Sequence, residues 1–114
     1  MDAFPIFWCV KGRAIVVFGG GAEAAAKLRL VAKTSATVHV IAEAFEPGVI
    51  DLDGKVVLTA DPLTAPLPAD IAFAYAATGE PALDEALAAR MRGLGVPICA
   101  ADQPAVSDFI TGAI

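Results

Sequence analysis

The fold is decided by AIVVFGGGAEAAAKLRLVAKT, Ala14 to Thr34, in which three consecutive glycines separate an apolar run from an alanine-rich one. Glycine is costly inside a helix or a strand, so three of them between two structured-looking segments mark a turn with a special backbone demand. AIVVF (14–18) is β-branched and aromatic, the composition of a strand buried on both faces. Residues 22–34 set Ala24, Leu28, Val31 and Ala32 on one face of a helix. ATVHVI, Ala36 to Ile41, reads as a second strand. Together these segments form a βαβ unit of about 30 residues.

Further along, DLDG (51–54) reads as a turn and KVVLT (55–59) as a short strand. ADPLTAPLPAD is punctuated by proline and reads as irregular, and DIAFAYAA (70–77) as another buried strand. A helix is expected from Pro81 to about Arg92, with Leu83, Leu87, Met91 and Leu94 on one stripe. Pro81 suits its first turn, Glu85 its positive end, and Arg90 and Arg92 its negative end. VPICAA (96–101) closes the series as a strand. Alternation of this kind predicts an α/β fold, a Rossmann-type doubly wound parallel sheet in a single domain spanning residues 1–114.

The 114 residues suffice for one core, and the balance of 57% hydrophobic to 18% charged residues is strongly apolar. A net charge of −5 argues against nucleic acid or an anionic membrane as the main partner, because both call for basic patches. Lys11, Arg13, Lys27 and Arg29 remain as a candidate local basic cluster. Cys9 and Cys99 match no metal or redox spacing and are expected to be small buried thiols. The N-terminus lacks the features of a secretory signal, and no window reaches the ~18 apolar residues of a membrane span. The expected compartment is the cytoplasm.

Gly19-Gly20-Gly21-Ala22-Glu23-Ala24 fits G-x-G-x-x-G/A. In that motif the first glycine allows a tight turn and the second lets a pyrophosphate approach the backbone. A small third residue lets the helix pack on the sheet, and the phosphates sit at the helix N-terminus. The context of strand before and helix after is the one the motif needs. A glycine-rich turn that holds no nucleotide is the competing reading. The second strand places Ile41 where an acidic ribose ligand normally stands, with Glu43 two residues on as its substitute.

With these residues in view the chain resembles the N-terminal module of siroheme synthase, the precorrin-2 dehydrogenase/sirohydrochlorin ferrochelatase family. The likeness runs through FPIFWCVKGRAIVVFGGG, AKLRLV, AYAATGEPALDEALAARMRGLGVPICAAD and SDFITGAI, in order and with the right spacing. It implies a Rossmann-type domain, NAD as cofactor, and oxidation of the tetrapyrrole precorrin-2 to sirohydrochlorin. Insertion of ferrous iron into that product is a second activity of many members, and a homodimer is the family's assembly. The family's catalytic aspartate stands in a pattern like V-V-D-x-P after the last strand of the nucleotide domain, and CAADQP carries Asp102 there. The resemblance implies that Asp102 is the general base of dehydrogenation, and a proton acceptor or metal guide during chelation. Taken without it, Asp102 reads more readily as a loop carboxylate capping a turn before Pro104.

The chain departs from the family pattern in three places. Glu23-Ala24-Ala25-Ala26-Lys27 replaces Val-Ala-x-Arg-Lys, Ala77-Thr78-Gly79-Glu80 replaces Ala-Thr-Asp-Asp, and Asp84 stands where an asparagine is expected. These changes fall on the cofactor side. The family also continues past FITGAI with a Ser/Thr-Gly-Gly segment and dimerisation helices. The chain is accordingly expected to be an excised domain or a shortened homologue, and a weak catalyst by itself.

The resulting assignment places Gly19, Gly20, Gly21, Ala22 and Glu23 on the pyrophosphate and ribose side of NAD. It places Glu43 and Ala44 near the adenosine, Thr78 near the nicotinamide, and Asp102 at the reaction. No metal ligand is expected: His39, the only histidine, stands mid-strand and reads as a packing or surface residue. Phe7 and Trp8 read as core or dimer anchors, and Glu43 and Glu46, most simply, as solvated loop acids. The alternative to an enzyme is a non-catalytic Rossmann-like module that binds a nucleotide or serves as a scaffold.

Overall fold

The structure, a computed structural model, describes residues 1–47 and 55–111. The element order is β1 (Ala14–Phe18), α1 (Ala22–Val31), β2 (Thr37–Ala42), β3 (Lys55–Leu58), β4 (Ile71–Ala76), α2 (Pro81–Gly93) and β5 (Ile98–Ala100). A single 3-10 turn, Pro104–Val106, follows. The strands form one five-stranded parallel sheet in the order β3-β2-β1-β4-β5, with β1 at its centre. The turn expected at DLDG lies outside the described residues.

Both faces of β1 are buried, which explains its unbroken apolar run. Ile15 and Val17 point to the side of α1, where they meet Ala24, Leu28 and Val31. Val16 and Phe18 point to the other side and meet Leu87, Ala88 and Met91 of α2. One helix on each face makes the sheet doubly wound. Reversal of strand order at β1 leaves a crevice at the C-terminal ends of β1 and its neighbours, the place where open α/β sheets bind ligands.

Several boundaries and burials differ from expectation. α1 ends at Val31, because the Thr34 hydroxyl and amide both donate to the Val31 carbonyl, at 2.7 and 3.0 Å, and close the last turn early. Ala32 is therefore exposed instead of facing the sheet. Leu94 falls just past α2 and is exposed, while Leu87 and Met91 are fully buried. Asp84, not Glu85, is the acid in the first turn of α2, and it is buried. Cys9 is exposed and Cys99 half-buried, and both are free thiols. Phe7 is fully exposed and no part of the core, whereas Trp8 rests at 6.4 Å from the Phe73 ring. Two members of the basic set are engaged locally: Arg13 pairs with Asp70 at 3.0 Å, and Lys27 lies over the Tyr75 ring.

Candidate functional site

The site begins where β1 runs out into glycine. Gly19 has φ +135°, a conformation reserved for glycine, and its amide donates to the Ile41 carbonyl at the end of β2 at 2.9 Å. A Cβ on Gly19 would lie 2.1 Å from the Ala77 carbonyl oxygen, and one on Gly20 1.8 Å from that of Ala44. The first two glycines are thus required by the protein's own backbone, which passes against them from the ends of β2 and β4. Gly21 differs. A Cβ there would meet nothing nearer than Glu46 Oε1 at 3.5 Å, so its surface is open.

Gly21 is the N-cap of α1 and offers the helix no side-chain cap. The first amides of α1, from Ala22 onward, therefore lack the partner a serine or aspartate would supply, and they sit at the positive end of the helix dipole. Ala24 is completely buried in contact with the turn, the small residue that lets α1 approach the sheet. Open Gly21, uncapped α1 and small Ala24 form a cradle of the kind that accepts an oxygen-rich anion such as a pyrophosphate.

The cradle opens into a cleft of about 370 Å³. One wall is Glu43–Glu46, held against the turn by the Glu46 amide, which donates to the Gly20 carbonyl at 2.8 Å. The other wall is Thr78–Glu80 with Leu83, and Pro62 from the segment after β3 completes it. The sequence-derived residues Gly19, Gly20, Gly21, Glu43, Ala44 and Thr78 come together here. Ala22 and Glu23 do not line the cleft; their side chains are exposed on the first turn of α1. The acids Glu43 and Glu46 are exposed, and Glu80 joins them on the rim without any lysine or arginine among the lining residues.

Asp102 lies apart from this cleft, in the turn after β5, and β4 separates β5 from β1. Its backbone is left-handed, φ +57°, and its exposed carboxylate takes no hydrogen bond among the described residues. The turn around it is firmly braced. Gln103 Nε2 donates to the Pro81 carbonyl at 2.9 Å, tying the turn to the start of α2. Ser107 Oγ donates to the Gln103 carbonyl at 2.8 Å and accepts from the Ala100 amide at 2.9 Å. Asp108 accepts from Ile98 N and from Arg92 Nε, each at 3.0 Å. His39 stands in β2 opposite Val16, half-buried, and no group of three or more His, Cys, Asp or Glu side chains could hold a metal among the described residues.

Pro62, Phe45, Leu83 and the buried Asp84 behind Thr78 were not singled out as site residues from sequence. Proline in an irregular segment and leucine on a helix stripe carry no signal of their own, since their place in the cleft is set by the topology. Asp84 was visible only as a departure from a family pattern.

The chain matches, over residues 6–113, the family described as "Putative NAD(P)-binding". It is 34% identical over 117 residues to siroheme synthase of Gluconacetobacter diazotrophicus, covering 96% of this chain and 25% of that protein. To siroheme synthase of Nitrosomonas europaea it is 32% identical, covering 100% of this chain and again 25% of the relative. The chain thus spans about a quarter of the length of these relatives. Among solved structures, SirC, precorrin-2 dehydrogenase, superposes with a TM-score of 0.79 at 16% identity, over 97% of this chain and 55% of the other, a likeness of fold. The chain belongs to the NAD(P)-binding family that its residues 6–113 match, and it resembles the N-terminal quarter of the siroheme synthases.

Proposed function

We propose that this chain is the NAD-binding part of an enzyme that oxidises precorrin-2 to sirohydrochlorin. The observation that carries the reading is the open, uncapped cradle at Gly21 in a turn whose other two glycines are fixed by the protein's own carbonyls. Gly19–Gly21 with the first amides of α1 would hold the pyrophosphate, Glu43 the adenosine ribose hydroxyls, and Thr78 the nicotinamide side. When bound, the cofactor supplies a hydride acceptor. Oxidation of a reduced tetrapyrrole also releases a proton, and Asp102 would receive it on an exposed carboxylate that takes no hydrogen bond among the described residues. The same carboxylate would accept a pyrrole proton if ferrous iron is inserted as a substrate. A homodimer and a cytoplasmic location accompany this reading by way of the relatives' pathway.

One observation favours the second reading, a non-catalytic module. Among the described residues the cleft rim carries Glu43, Glu46 and Glu80 and no cationic side chain to neutralise a pyrophosphate. Calorimetric titration with NAD tests the cofactor site: saturable binding is expected, and its absence in the wild type would leave the scaffold reading standing.

A further inference from the structure

Helix α2 is tied to the cleft from behind at two points, and only one of them touches a residue that sequence reasoning connects with the cofactor. The second is Arg90. Its guanidinium donates through Nη1 to the Pro62 carbonyl at 2.7 Å and through Nη2 to the Ala65 carbonyl at 2.6 Å. No carboxylate pairs with this half-buried cation among the described residues, so its fork is directed wholly at the main chain. Both carbonyls belong to the irregular, proline-punctuated segment between β3 and β4. That segment is shaped by small turns, with Pro62 and Ala65 buried and Leu67 packed against the core. The Asp61 amide donates to Thr59 Oγ1 at 3.3 Å, and the Leu63 amide to Asp61 Oδ1 at 3.0 Å.

Pro62 is fully buried, yet it lines the cleft together with Leu83 of the helix that carries Arg90. Ala42 and Ala44, which flank Glu43 at the end of β2, line the same cleft. A flat, weakly polar ring attached to a ribose suits this lining, with the ring against its apolar residues and the ribose hydroxyls toward the Glu43 carboxylate. We infer that Arg90 is a positioning residue for the adenosine half of a dinucleotide, holding the segment after β3 so that Pro62 stays packed behind the apolar lining that takes the adenine. This inference rests on the dinucleotide reading above. A planar fork satisfies two carbonyls at fixed separation, which an ammonium cannot reproduce.

The test is titration of wild type, Arg90→Met and Arg90→Lys with NAD and with ADP-ribose, alongside amide hydrogen exchange. The expected result for Arg90→Met is affinity for both ligands about tenfold weaker, the scale of losing charge-assisted hydrogen bonds. Exchange should quicken at the amides of Asp61, Leu63, Thr64 and Ala65 while β1 and β4 stay protected. Arg90→Lys keeps the charge and serves if Arg90→Met does not fold; it too should bind more weakly than wild type. Affinities within twofold of wild type in the folded variants overturn the inference. So does a loss of protection that extends to β1 and β4, which marks a general structural role. A wild type that binds neither ligand defeats the dinucleotide reading itself, and this inference with it.

Discussion

Asp84 and Thr78 are joined twice: Asp84 Oδ1 accepts from the Thr78 amide at 3.0 Å and from the Thr78 hydroxyl at 2.7 Å. The carboxylate is 2% exposed, in the first turn of α2, where the helix dipole favours negative charge. Thr78 Oγ1 in turn accepts from the Glu80 amide at 3.2 Å, so a single buried acid shapes the whole rim from Thr78 to Glu80.

Removing that acid should cost stability as well as cleft shape. Asp84→Ala strands two donors in a buried place, and a loss of about 2–3 kcal/mol is expected, read as a lower urea midpoint. Asp84→Asn keeps an accepting oxygen at the same position and should recover more than half of it. Equal losses in the two variants would show that charge, not the hydrogen bonds, holds the rim.

The three glycines should respond differently to substitution. Gly19→Ala and Gly20→Ala place a methyl carbon about 2 Å from a backbone carbonyl oxygen, and each should destabilise by about 2–4 kcal/mol. At Gly21 a Cβ makes only ordinary contact, with Glu46 Oε1 at 3.5 Å, so Gly21→Val should lower the melting temperature far less than the other two, yet it blocks the approach of phosphate to the helix N-terminus. Thermal denaturation paired with NAD calorimetry checks both halves; unchanged NAD affinity in Gly21→Val removes the pyrophosphate assignment.

Stability should fall in alkali. Burial raises the Tyr75 phenol above its ordinary 10.0, only partly offset by its hydrogen bond with Thr111, and burial raises the Cys99 thiol above 9.0, offset in part by Lys27. The unfolded chain then ionises first, so the folded state retains protons that the unfolded state has lost. Stability from these groups is complete below the unfolded values and declines as pH rises through the folded ones. Urea midpoints at about pH 8 and about pH 10.5 should differ, and Cys99→Ala should flatten the early part of the decline. A midpoint independent of pH over that range would contradict the burial of both groups.

The parallel sheet was legible because β1 is buried on both faces, because β4 and β5 lack polar alternation even where their residues are half-buried, and because glycine and proline punctuate the strand ends. The glycine turn was legible for the same reason that it works, since only glycine tolerates carbonyls as close as those of Ala77 and Ala44. Helix ends were less so. Thr34 reads as one more helical residue until its hydroxyl is seen closing onto Val31. Residues before β1 were least legible: Phe7 and Trp8 carry apolar surface without periodicity, and periodicity is what marks a core face. Phe7 ends in solvent and Trp8 against Phe73. The bracing roles of Asp84 and Arg90 were not legible, because a polar residue on a helix looks like surface unless its partners are known, and those partners lie off the helix.

The sharpest prediction concerns Asp102. Its left-handed backbone, φ +57°, is one that asparagine adopts as readily as aspartate, and its carboxylate takes no hydrogen bond among the described residues. Asp102→Asn should therefore leave the melting temperature unchanged. NAD affinity should be unchanged too, because Asp102 is not among the residues that line the cleft at Gly19–Gly21. Asparagine cannot accept a proton near neutral pH, so if Asp102 is the base, dehydrogenation in the full-length gene product should drop by about 10²–10⁴-fold. The assay follows NADH absorbance with anaerobically prepared precorrin-2. A variant within a few-fold of wild type would leave Asp102 as a turn residue and send the search for the base to the acids of the rim. A variant that loses NAD binding or stability would instead make Asp102 part of the bracing formed by Gln103, Ser107 and Asp108. Only a rate loss with fold and cofactor affinity both intact assigns the proton to Asp102.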